Sequence, residues 1–221
     1  MSLSYVCHYS EIGLKGRNRH RFISRLIENI RTSLRRQLNI SAIQTKSVNK
    51  RIFLTINDDI DILSVNRILK NVFGIAYFSP ISVSDPDIES IVSHSLNQLK
   101  DQTFDTFAIR TKRSNKNFPF TSEAVNRSVG QVVKGKLKKD VDLTNPDITC
   151  FIEVLDHAVF VYTGRQEGPG GLPVGSSGDV LVLISGGMDS PVASFYAMKR
   201  GSRCVYIHFH SFPYTNKLSQ E

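Results

Sequence analysis

The stretch Asp179–Ser190, DVLVLISGGMDS, places two adjacent glycines directly after a run of apolar, mostly β-branched residues. Such a run predicts a buried strand of parallel sheet over Asp179–Ile184. The following sequence predicts a helix from about Pro191 to Lys199, which Gly201 ends, and a second strand over Cys204–Phe209. The segment is therefore typical of one strand-loop-helix-strand unit of a Rossmann-like α/β sheet.

The loop between this strand and helix has the composition of a phosphate-binding site. Gly186 and Gly187 allow the backbone to come close to an anion and to take positive φ. The helix N-terminus offers free N–H groups and a partial positive charge, and Ser185 and Ser190 add hydroxyl donors. A carboxylate beside phosphates is unfavourable unless it binds Mg²⁺ or orients a reacting group, so Asp189 indicates a role of that kind.

Two common phosphate-binding patterns are absent from the chain. It has no G-x-x-x-x-G-K-[ST], which excludes a Walker ATPase, and no G-x-G-x-x-G, which leaves a dinucleotide fold unsupported. What remains is S-G-G-x-D-S after V-L-V-L-I, the PP-loop pattern of enzymes that split ATP between the α- and β-phosphates. A glycine-rich turn with an Asx cap is the alternative interpretation.

The first part of the chain has the pattern of a ferredoxin-like α+β domain over residues 1–80. Its apolar periodicity follows the order β-α-β-β-α-β that defines this fold. Predicted strands lie over Ser4–Tyr9, Arg51–Ile56 and Ile75–Phe78, and predicted helices lie over Asn18–Leu38 and Ile62–Val72.

A second domain, of α/β type, is predicted over residues 81–165. Its first helix takes Asp85 as N-cap and Pro86 as first helical residue, and runs to about Leu99. Thr121 opens a second helix, whose apolar face points to a core. Predicted strands lie over Phe104–Arg110, Cys150–Leu155 and Ala158–Tyr162, the last two as a hairpin.

The remaining sequence predicts a linker and an incomplete third domain. Residues 166–176 lie in a glycine- and proline-rich stretch that is typical of a linker. Residues 177–221 contain the PP-loop pattern, but 45 residues give one βαβ unit and not a domain. We therefore expect the chain to be a fragment of a longer protein.

The charge of the chain is concentrated in two blocks. The net charge is +8, and a basic balance favours polyanionic partners. Residues 1–59 hold 11 basic and 4 acidic side chains, and residues 110–140 hold 9 and 2. Two such blocks indicate that the partner is nucleic acid, and the alternative interpretation is that they are solvated helix faces.

Aromatic residues also lie between basic residues in one predicted loop. This arrangement suits base stacking in RNA, and the alternative interpretation is a loop packed on the core. The candidate RNA-binding residues are Lys15, Arg17, Arg19, Arg110, Lys112, Arg113, Lys116, Phe118, Phe120, Lys134, Lys136, Lys138 and Lys139.

Several stretches together resemble the tRNA 4-thiouridine synthetase family, the tRNA sulfurtransferases that are also counted among thiamine-biosynthesis proteins. Glu11–Phe22, EIGLKGRNRHRF, resembles the opening of that family. Asp142–Asp147, DLTNPD, followed by FIEV at Phe151–Val154, resembles the end of a THUMP RNA-binding domain. The runs GPGGLPVGSSG, VLVLISGGMDSPVASFYAMKRG and VYIHFHSFPYT resemble the family's linker and PP-loop. The resemblance covers nearly the whole chain, and it implies that residues 81–165 form the THUMP domain and residues 177–221 an incomplete PP-loop ATP pyrophosphatase domain.

The resemblance implies a reaction with ATP and Mg²⁺ as cofactors. ATP would adenylate the C4 oxygen of a tRNA uridine, uridine 8 in this family, and a protein persulfide would then replace the activated oxygen with sulfur. Asp189 would be the catalytic residue that holds Mg²⁺ or aligns ATP, and His208 and Phe209 would line the adenine pocket at the strand ends. The implied ATP-binding residues are Leu183, Ile184, Ser185, Gly186, Gly187, Asp189, Ser190, His208 and Phe209.

The resemblance also implies the partners of the protein. These would be tRNA and a persulfide donor such as cysteine desulfurase, with a homodimer of the longer protein and sulfur supply to the thiamine thiazole as further expectations. None of Cys7, Cys150 and Cys204 is assigned the persulfide role, because the family's sulfur-handling cysteines lie beyond residue 221.

Composition excludes several other classes of protein. The cysteines are widely spaced, which predicts a protein without disulfides. No apolar run reaches ~18 residues, which predicts no membrane partner. The N-terminus lacks the pattern of a secretory signal, so we expect a cytoplasmic protein. The pair His208-x-His210 has no evident third ligand, so we expect no metal held by histidines.

Two other functions stay open at this point. One is an RNA-binding THUMP module that carries out no chemistry, and the other is a PP-loop enzyme that modifies a different RNA base. The chain by itself is expected to be inactive, because the remaining strands of the PP-loop sheet are missing and the ATP site would be half built.

Overall fold

Two compact units make up the chain, and each draws on several stretches of sequence. The structure, a computed structural model, describes residues 2–48, 50–156 and 158–209. The first unit contains the chain up to Cys7 together with Ala42–Ile62 and Phe78–Gln166. The second contains His8–Ser41, Leu63–Tyr77 and the described chain from Glu167 to Phe209. The boundaries of these units therefore do not coincide with those of the sequence domains.

The N-terminal elements follow the predicted ferredoxin-like order. They are β1 Leu3–His8, α1 Arg19–Leu38, β2 Ile43–Val48, β3 Arg51–Ile56, α2 Ile62–Leu69 and β4 Tyr77–Pro80. Two short 3₁₀ turns, Glu11–Leu14 and Gly16–Asn18, lead from β1 into α1. The sequence pattern does not predict these turns, because 3₁₀ turns are too short to show a periodicity.

Helix α1 forms because its apolar residues recur once per turn. Leu26, Ile30 and Leu34 are all fully buried and lie four residues apart, so they share one face of the helix. The helix ends at Asn39, which takes a left-handed φ of 53° while its N–H bonds to Arg35 O at 3.0 Å. Asparagine tolerates this conformation better than most residues do.

The second domain contains two helices and a five-stranded sheet. Its elements are β5 Ser82–Ser84, α3 Ile88–Leu99, β6 Thr106–Arg113, α4 Ser122–Leu137, β7 Asp140–Val141, β8 Ile148–Val154 and β9 Val159–Thr163. The strand order is β5-β9-β8-β6-β7, with β6 parallel to β8 and β8 antiparallel to β9. One apolar core includes Ile91 of α3, Val129 of α4 and Ile152 of β8. The fold class predicted for this part is thereby confirmed.

The start of α3 differs from the prediction. Asp85 and Pro86 precede the helix, and the N-cap is Asp87, whose Oδ1 accepts the Ser90 N–H at 2.7 Å. A helix that begins at Ile88 buries Ile91 on its inner face, which decides the register. Helix α4 begins after Thr121 as predicted, and Thr121 Oγ1 caps it by accepting the Ala124 N–H at 3.1 Å.

The C-terminal elements are β10 Gln166–Glu167, β11 Asp179–Leu183, α5 Asp189–Lys199 and β12 Arg203–Ile207. Strands β11 and β12 pair in parallel over five residues, which gives the predicted strand-loop-helix-strand unit. Strand β10 joins the N-terminal sheet, whose order is β10-β4-β1-β3-β2. Among the described residues, no helix has the length and apolarity needed to cross a membrane.

A buried ion pair connects two sheets within the first unit. Arg51 of β3 contacts the Glu153 carboxylate of β8, and both side chains are almost fully buried. The Tyr162 hydroxyl donates to Glu153 Oε1 at 2.9 Å, and burial together with the Glu153 charge raises the pKa of Tyr162 above its ordinary value. Phe53 stacks on Phe160 nearby, with ring centroids 4.4 Å apart. These contacts fix β3 against β8 and β9.

Replacing Glu153 by alanine should destabilise the chain strongly. The change removes the carboxylate while the Arg51 charge stays in the interior, and such a loss costs about 3–5 kcal/mol. Urea unfolding monitored by circular dichroism measures the difference in the free energy of unfolding.

The double variant Arg51→Met with Glu153→Leu is the matched control. It removes both charges together, so it should be less destabilising than Glu153→Ala alone. A Glu153→Ala protein that unfolds at the urea concentration of the unchanged chain would contradict a stabilising role for this pair.

Candidate functional site

The SGGMDS loop lies at the carboxyl edge of the two parallel strands. Strand β11 ends at Leu183, and the Ile184 N–H donates to Ile207 O at 2.9 Å. His208 Nδ1 lies 2.9 Å from Ile184 O, so the residue after β12 is bonded to the residue after β11. The carboxyl edge of parallel strands is where ligands bind in α/β sheets of this kind.

Serine hydroxyls hold the loop over the start of α5. The Gly187 N–H donates to Ser185 Oγ at 3.3 Å, and the Ser185 N–H donates to Ser190 Oγ at 3.4 Å. In both contacts the hydroxyl oxygen is the acceptor, so each hydroxyl proton remains available to an anion. Helix α5 begins at Asp189, two residues before the predicted Pro191, and places the exposed Asp189 carboxylate in its first turn.

The glycine pair does not use the positive φ that glycine allows. Neither Gly186 nor Gly187 is among the described residues with positive φ, so backbone strain does not require glycine here. A Cβ on Gly186 would meet no atom within 4 Å, and one on Gly187 would lie 3.5 Å from Ser185 Oγ. The space that side chains would fill is therefore open to a ligand. Open glycines, two free hydroxyl protons and a helix N-terminus fit a polyphosphate.

The strands that carry the loop are more exposed than predicted. Leu181 and Leu183 of β11 are 66% and 62% exposed, and Phe209 after β12 is 74% exposed. Parallel strands are buried when helices cover both faces of the sheet. In the described part of the strand-loop-helix-strand segment, only α5 is present to cover the sheet of β11 and β12. Ser185, Gly186 and Gly187 are likewise exposed, whereas Ile184 and Ser190 are half-buried.

The predicted linker is bonded to elements on both sides of it. Gly170 exchanges backbone hydrogen bonds with Gly74 and Ile75, both at 2.8 Å. The Leu172 N–H donates to Lys199 O at 2.9 Å, at the end of α5. On the α1 side, the Asn29 amide donates to Val174 O at 3.0 Å. The glycine-rich composition predicts a flexible tether, but here it allows close backbone contact.

The first basic cluster is partly engaged within the chain. Arg19 donates to Gly13 O at 2.9 Å, and the Lys15 ammonium lies 5.2 Å from the centre of the Phe22 ring. Arg17 is exposed in the second 3₁₀ turn. Of the three predicted residues, Arg17 therefore presents its charge most freely to solvent.

Phe118 is a core residue, and its predicted role in stacking on RNA is wrong. It is only 5% exposed and belongs to the apolar core of the second domain. The Arg113 guanidinium donates to Phe118 O and Phe120 O, which curls the loop inward. Phe120 is 39% exposed and packs edge-on against Phe118. Of the other predicted residues near this loop, Lys112 and Lys116 are exposed, while Arg110 contacts Leu143 O at 3.4 Å.

The four lysines around the end of α4 fall into two pairs. Lys134 lies 3.0 Å from Asp140, and Lys139 lies 3.2 Å from Asp105, so a carboxylate offsets the charge of each. Lys136 and Lys138 are exposed, and Lys138 caps the helix with a left-handed φ of 55°. Counting charge along the sequence cannot separate the two pairs, because it does not show which lysine each carboxylate reaches, and Asp105 lies outside the basic block.

The DLTNPD segment forms two carboxylate-centred turns. Asp142 accepts the N–H groups of Thr144 and Asn145, and these bonds lower the pKa of Asp142. Asp147 accepts the N–H groups of Thr106 and Asp105, which lower its pKa in the same way. The motif thus fixes the chain between β7 and β8.

A cleft that the sequence patterns did not indicate opens beside these turns. It has a volume of about 430 Å³ and lies between α4 and β7, with Asn126, Arg127, Lys134 and Leu143 along its wall. Leu143 is strongly exposed although it is apolar. Arg127 follows Glu123 by four residues on α4, so the sequence indicates an ordinary solvated ion pair and not the wall of a cleft.

The described residues contain no group of three or more His, Cys, Asp or Glu side chains that could hold a metal ion. His210 of the His208-x-His210 pair lies outside the described residues.

Fold and site together define the chain as a ferredoxin-like and THUMP protein that leads into a PP-loop unit. Family models match three consecutive parts: the ThiI ferredoxin-like domain at residues 4–79, the THUMP domain at residues 83–163, and the thiamine biosynthesis protein (ThiI) at residues 175–221. The chain belongs to the ThiI family.

Similar proteins agree with this assignment. A probable tRNA sulfurtransferase of Moorella thermoacetica is 39% identical over 222 residues, which cover 100% of this chain and 56% of the relative. One of Halothermothrix orenii is 42% identical over 225 residues, which cover 98% and 56%. A crystal structure of a 4-thiouridine synthetase–RNA complex with bound ATP matches at a TM-score of 0.84 and 34% identity, covering 100% of this chain and 56% of that one. The chain thus spans little more than half the length of these proteins.

Replacing Gly171 by alanine should break the contact between the linker and α5. A Cβ there would overlap Lys199 O, whereas one on Gly170, which also has positive φ, would meet nothing within 4 Å. Overpacking of this kind costs about 1–3 kcal/mol, so Gly171→Ala should destabilise the chain by about 2 kcal/mol more than Gly170→Ala. Urea unfolding of the two variants measures the difference, and equal unfolding curves would contradict the close contact.

Proposed function

We propose that a protein of the relatives' length containing this chain is an ATP-dependent tRNA sulfurtransferase that makes 4-thiouridine at uridine 8. The observation that carries the proposal is the SGGMDS loop, open at the carboxyl edge of β11 and β12, in a chain that also contains a THUMP domain. The named relatives are probable tRNA sulfurtransferases, and the RNA complex cited above contains ATP.

Within this proposal, the loop residues bind the pyrophosphate part of ATP. Gly186 and Gly187 leave room for the phosphate oxygens, and the hydroxyls of Ser185 and Ser190 donate to them. Such fixed donors stabilise the charge that develops on departing pyrophosphate. ATP supplies the adenylyl group that converts the uridine C4 oxygen into a leaving group. Asp189, exposed at the start of α5, holds Mg²⁺ or aligns the triphosphate.

The residues at the strand ends bind the adenosine part. The bond between His208 Nδ1 and Ile184 O fixes the imidazole ring at the carboxyl edge. Phe209 is exposed beside it and offers a face for stacking on adenine. Leu183 and Ile184 contribute the apolar end of β11. This arrangement supports one wall of an adenine site.

The cysteines of this chain do not suit sulfur transfer. Burial raises the pKa of both the Cys7 and Cys150 thiols to about 12, so neither forms a thiolate near neutral pH. Cys204 is half-buried in β12, with its Sγ 3.7 Å from Ser194 O. We propose that a persulfide donor such as cysteine desulfurase supplies the sulfur, in the cytoplasm, and that the same route serves the thiamine thiazole.

The exposed cations of the THUMP domain bind the tRNA backbone in this proposal. Lys136, Lys138, Lys112 and Lys116 are exposed, and contacts to RNA phosphates release counterions. Lys134 and Lys139 gain less from a phosphate, because each must first leave a carboxylate.

The double variant Lys136→Gln with Lys138→Gln should weaken tRNA binding more than Lys134→Gln with Lys139→Gln. Loss of two phosphate contacts reduces the slope of log K against log salt by about 1.8. Both variants change the net charge equally, so each is the control for the other. Binding measured by fluorescence anisotropy at several salt concentrations tests this, and equal slopes would remove Lys136 and Lys138 from the RNA site.

Cells that lack the gene should lose 4-thiouridine from their tRNA. Mass spectrometry of tRNA nucleosides measures it, and the wild-type gene should restore it. Genes that carry Asp189→Ala or Gly186→Ala should not restore 4-thiouridine. The new Cβ of Gly186→Ala occupies the space proposed for phosphate.

Gly135→Ala is the matched control for Gly186→Ala. A Cβ on Gly135, in α4, also meets no atom within 4 Å, so this variant should restore the nucleoside. If 4-thiouridine persists without the gene, the proposed function is wrong. If Asp189→Ala restores it fully, the role proposed for Asp189 is wrong.

A further inference from the structure

A cleft joins the first turns of α1 to the linker within the second unit. Its volume is about 370 Å³, and its wall includes His20, Arg21, Arg25, Gly175 and Ser176. Gly175 has a φ of +83°, and a Cβ there would lie 3.6 Å from Arg25 Nε. The linker backbone therefore passes directly against the Arg25 guanidinium.

Exposed arginines recur along this side of α1. Arg21 and Arg25 lie four residues apart on α1, Arg17 lies in the 3₁₀ turn four residues before Arg21, and all three are exposed. We call these three residues the arginine stripe. Residues four apart lie on the same helix face about 6 Å from each other along the axis. Arg17 already belongs to the candidate RNA-binding residues, so the arginine stripe extends that cluster from the 3₁₀ turn to the linker.

The cleft has the electrostatics of an anion site. The first turn of α1 contains no acidic residue, and its N-cap Asn18 makes no side-chain capping bond. The positive end of a 20-residue helix is thus left without a counter-charge from its own first turn. Glu28 is the one acidic residue along the wall, and its Oε2 lies 2.8 Å from Arg25 Nη1. This pair orients Arg25, while Arg21 has no carboxylate partner among the described residues.

The linker side of the cleft is held in place by the PP-loop unit. The Ser177 N–H donates to Gly201 O at 3.0 Å, and Ser177 Oγ donates to Arg200 O at 2.8 Å. The Arg203 N–H donates to Gly178 O at 2.8 Å, directly before β11. A ligand that contacts Gly175 and Arg25 together would therefore restrain the segment that positions β11.

We propose that this cleft binds a phosphate group of the RNA backbone, and that RNA bound there stabilises the linker against α1. The inference rests on the proposed function only in taking RNA as the ligand. Arg21 and Arg25 supply the charge, and the linker at Gly175 and Ser176 closes the other side. The linker is then part of the RNA site, and RNA binding restrains the chain that leads into the PP-loop.

The test compares Arg21→Gln with Arg25→Gln against Arg35→Gln with Arg36→Gln. Arg35 and Arg36 are exposed in the last turn of the same helix, so the two double variants lose equal charge. The first should bind tRNA about tenfold more weakly and with a salt slope smaller by about 1.8, and the control should stay near the unchanged protein. Hydrogen exchange of the linker amides over residues 174–177 should slow about threefold on adding tRNA, except in the Arg21 and Arg25 variant.

The outcomes separate this inference from the proposed function. If both double variants bind tRNA with equal affinity and equal salt slope, the inference is wrong although the protein binds RNA. The inference is also wrong if tRNA binds without changing the hydrogen exchange of the linker amides. Slower linker exchange with inorganic phosphate alone, and none with tRNA, would assign the cleft to a free anion and overturn it too. An unchanged protein that does not bind tRNA would overturn the proposed function itself.

Discussion

Close approach between backbones at the glycine-rich linker is the constraint on which the second unit depends. Gly168 and Gly171 lie so near to Ile75 O and Lys199 O that a Cβ on either would overlap a carbonyl oxygen. Because no side chains intervene, one short segment bonds to Gly74 on one side and to the end of α5 on the other. A composition that is typical of flexible tethers here serves close contact. The start of β11, and with it the loop that follows, is positioned by these peptide groups.

The sequence predicts those features that depend on local pattern. The ferredoxin-like order of the N-terminal elements, the start of α4 after Thr121 and the strand-loop-helix-strand unit follow from periodicity and helix-start signals over short distances, and the structure contains them. It does not predict Phe118 in the core, because the Arg113 bonds that curl the loop depend on the folded position of β6. The linker contacts are equally non-local, since Leu172 and Lys199 meet only after folding. The sequence shows that Gly186 and Gly187 permit positive φ, but it does not show whether the folded loop uses that conformation, and the loop does not use it.

Charge along the sequence and charge in the folded chain differ for a similar reason. The block at residues 110–140 contains an excess of cations, yet Asp105 lies outside the block and offsets Lys139, while Arg113 bonds to backbone carbonyls. The sequence alone does not distinguish Arg17, Arg21 and Arg25 from the other arginines in and near the first helix. The meaning of the arginine stripe appears only when Gly175, some 150 residues later, is placed against Arg25. Position relative to other segments, and not the count, decides which cations are available to a polyanion.

A glycine can be required by the fold of the chain itself or by the space that a ligand needs, and Gly171 and Gly186 differ in this respect. At Gly171 the demand comes from the chain, because φ is positive and a neighbouring carbonyl excludes a Cβ. At Gly186 neither condition holds: φ is not positive, and a Cβ would meet nothing within 4 Å. Folding alone would therefore accept alanine at Gly186, which would even reduce the entropy of the unfolded chain. A glycine that the fold does not need, next to another at the N-terminus of a helix, leaves open the space that the proposed phosphate would occupy.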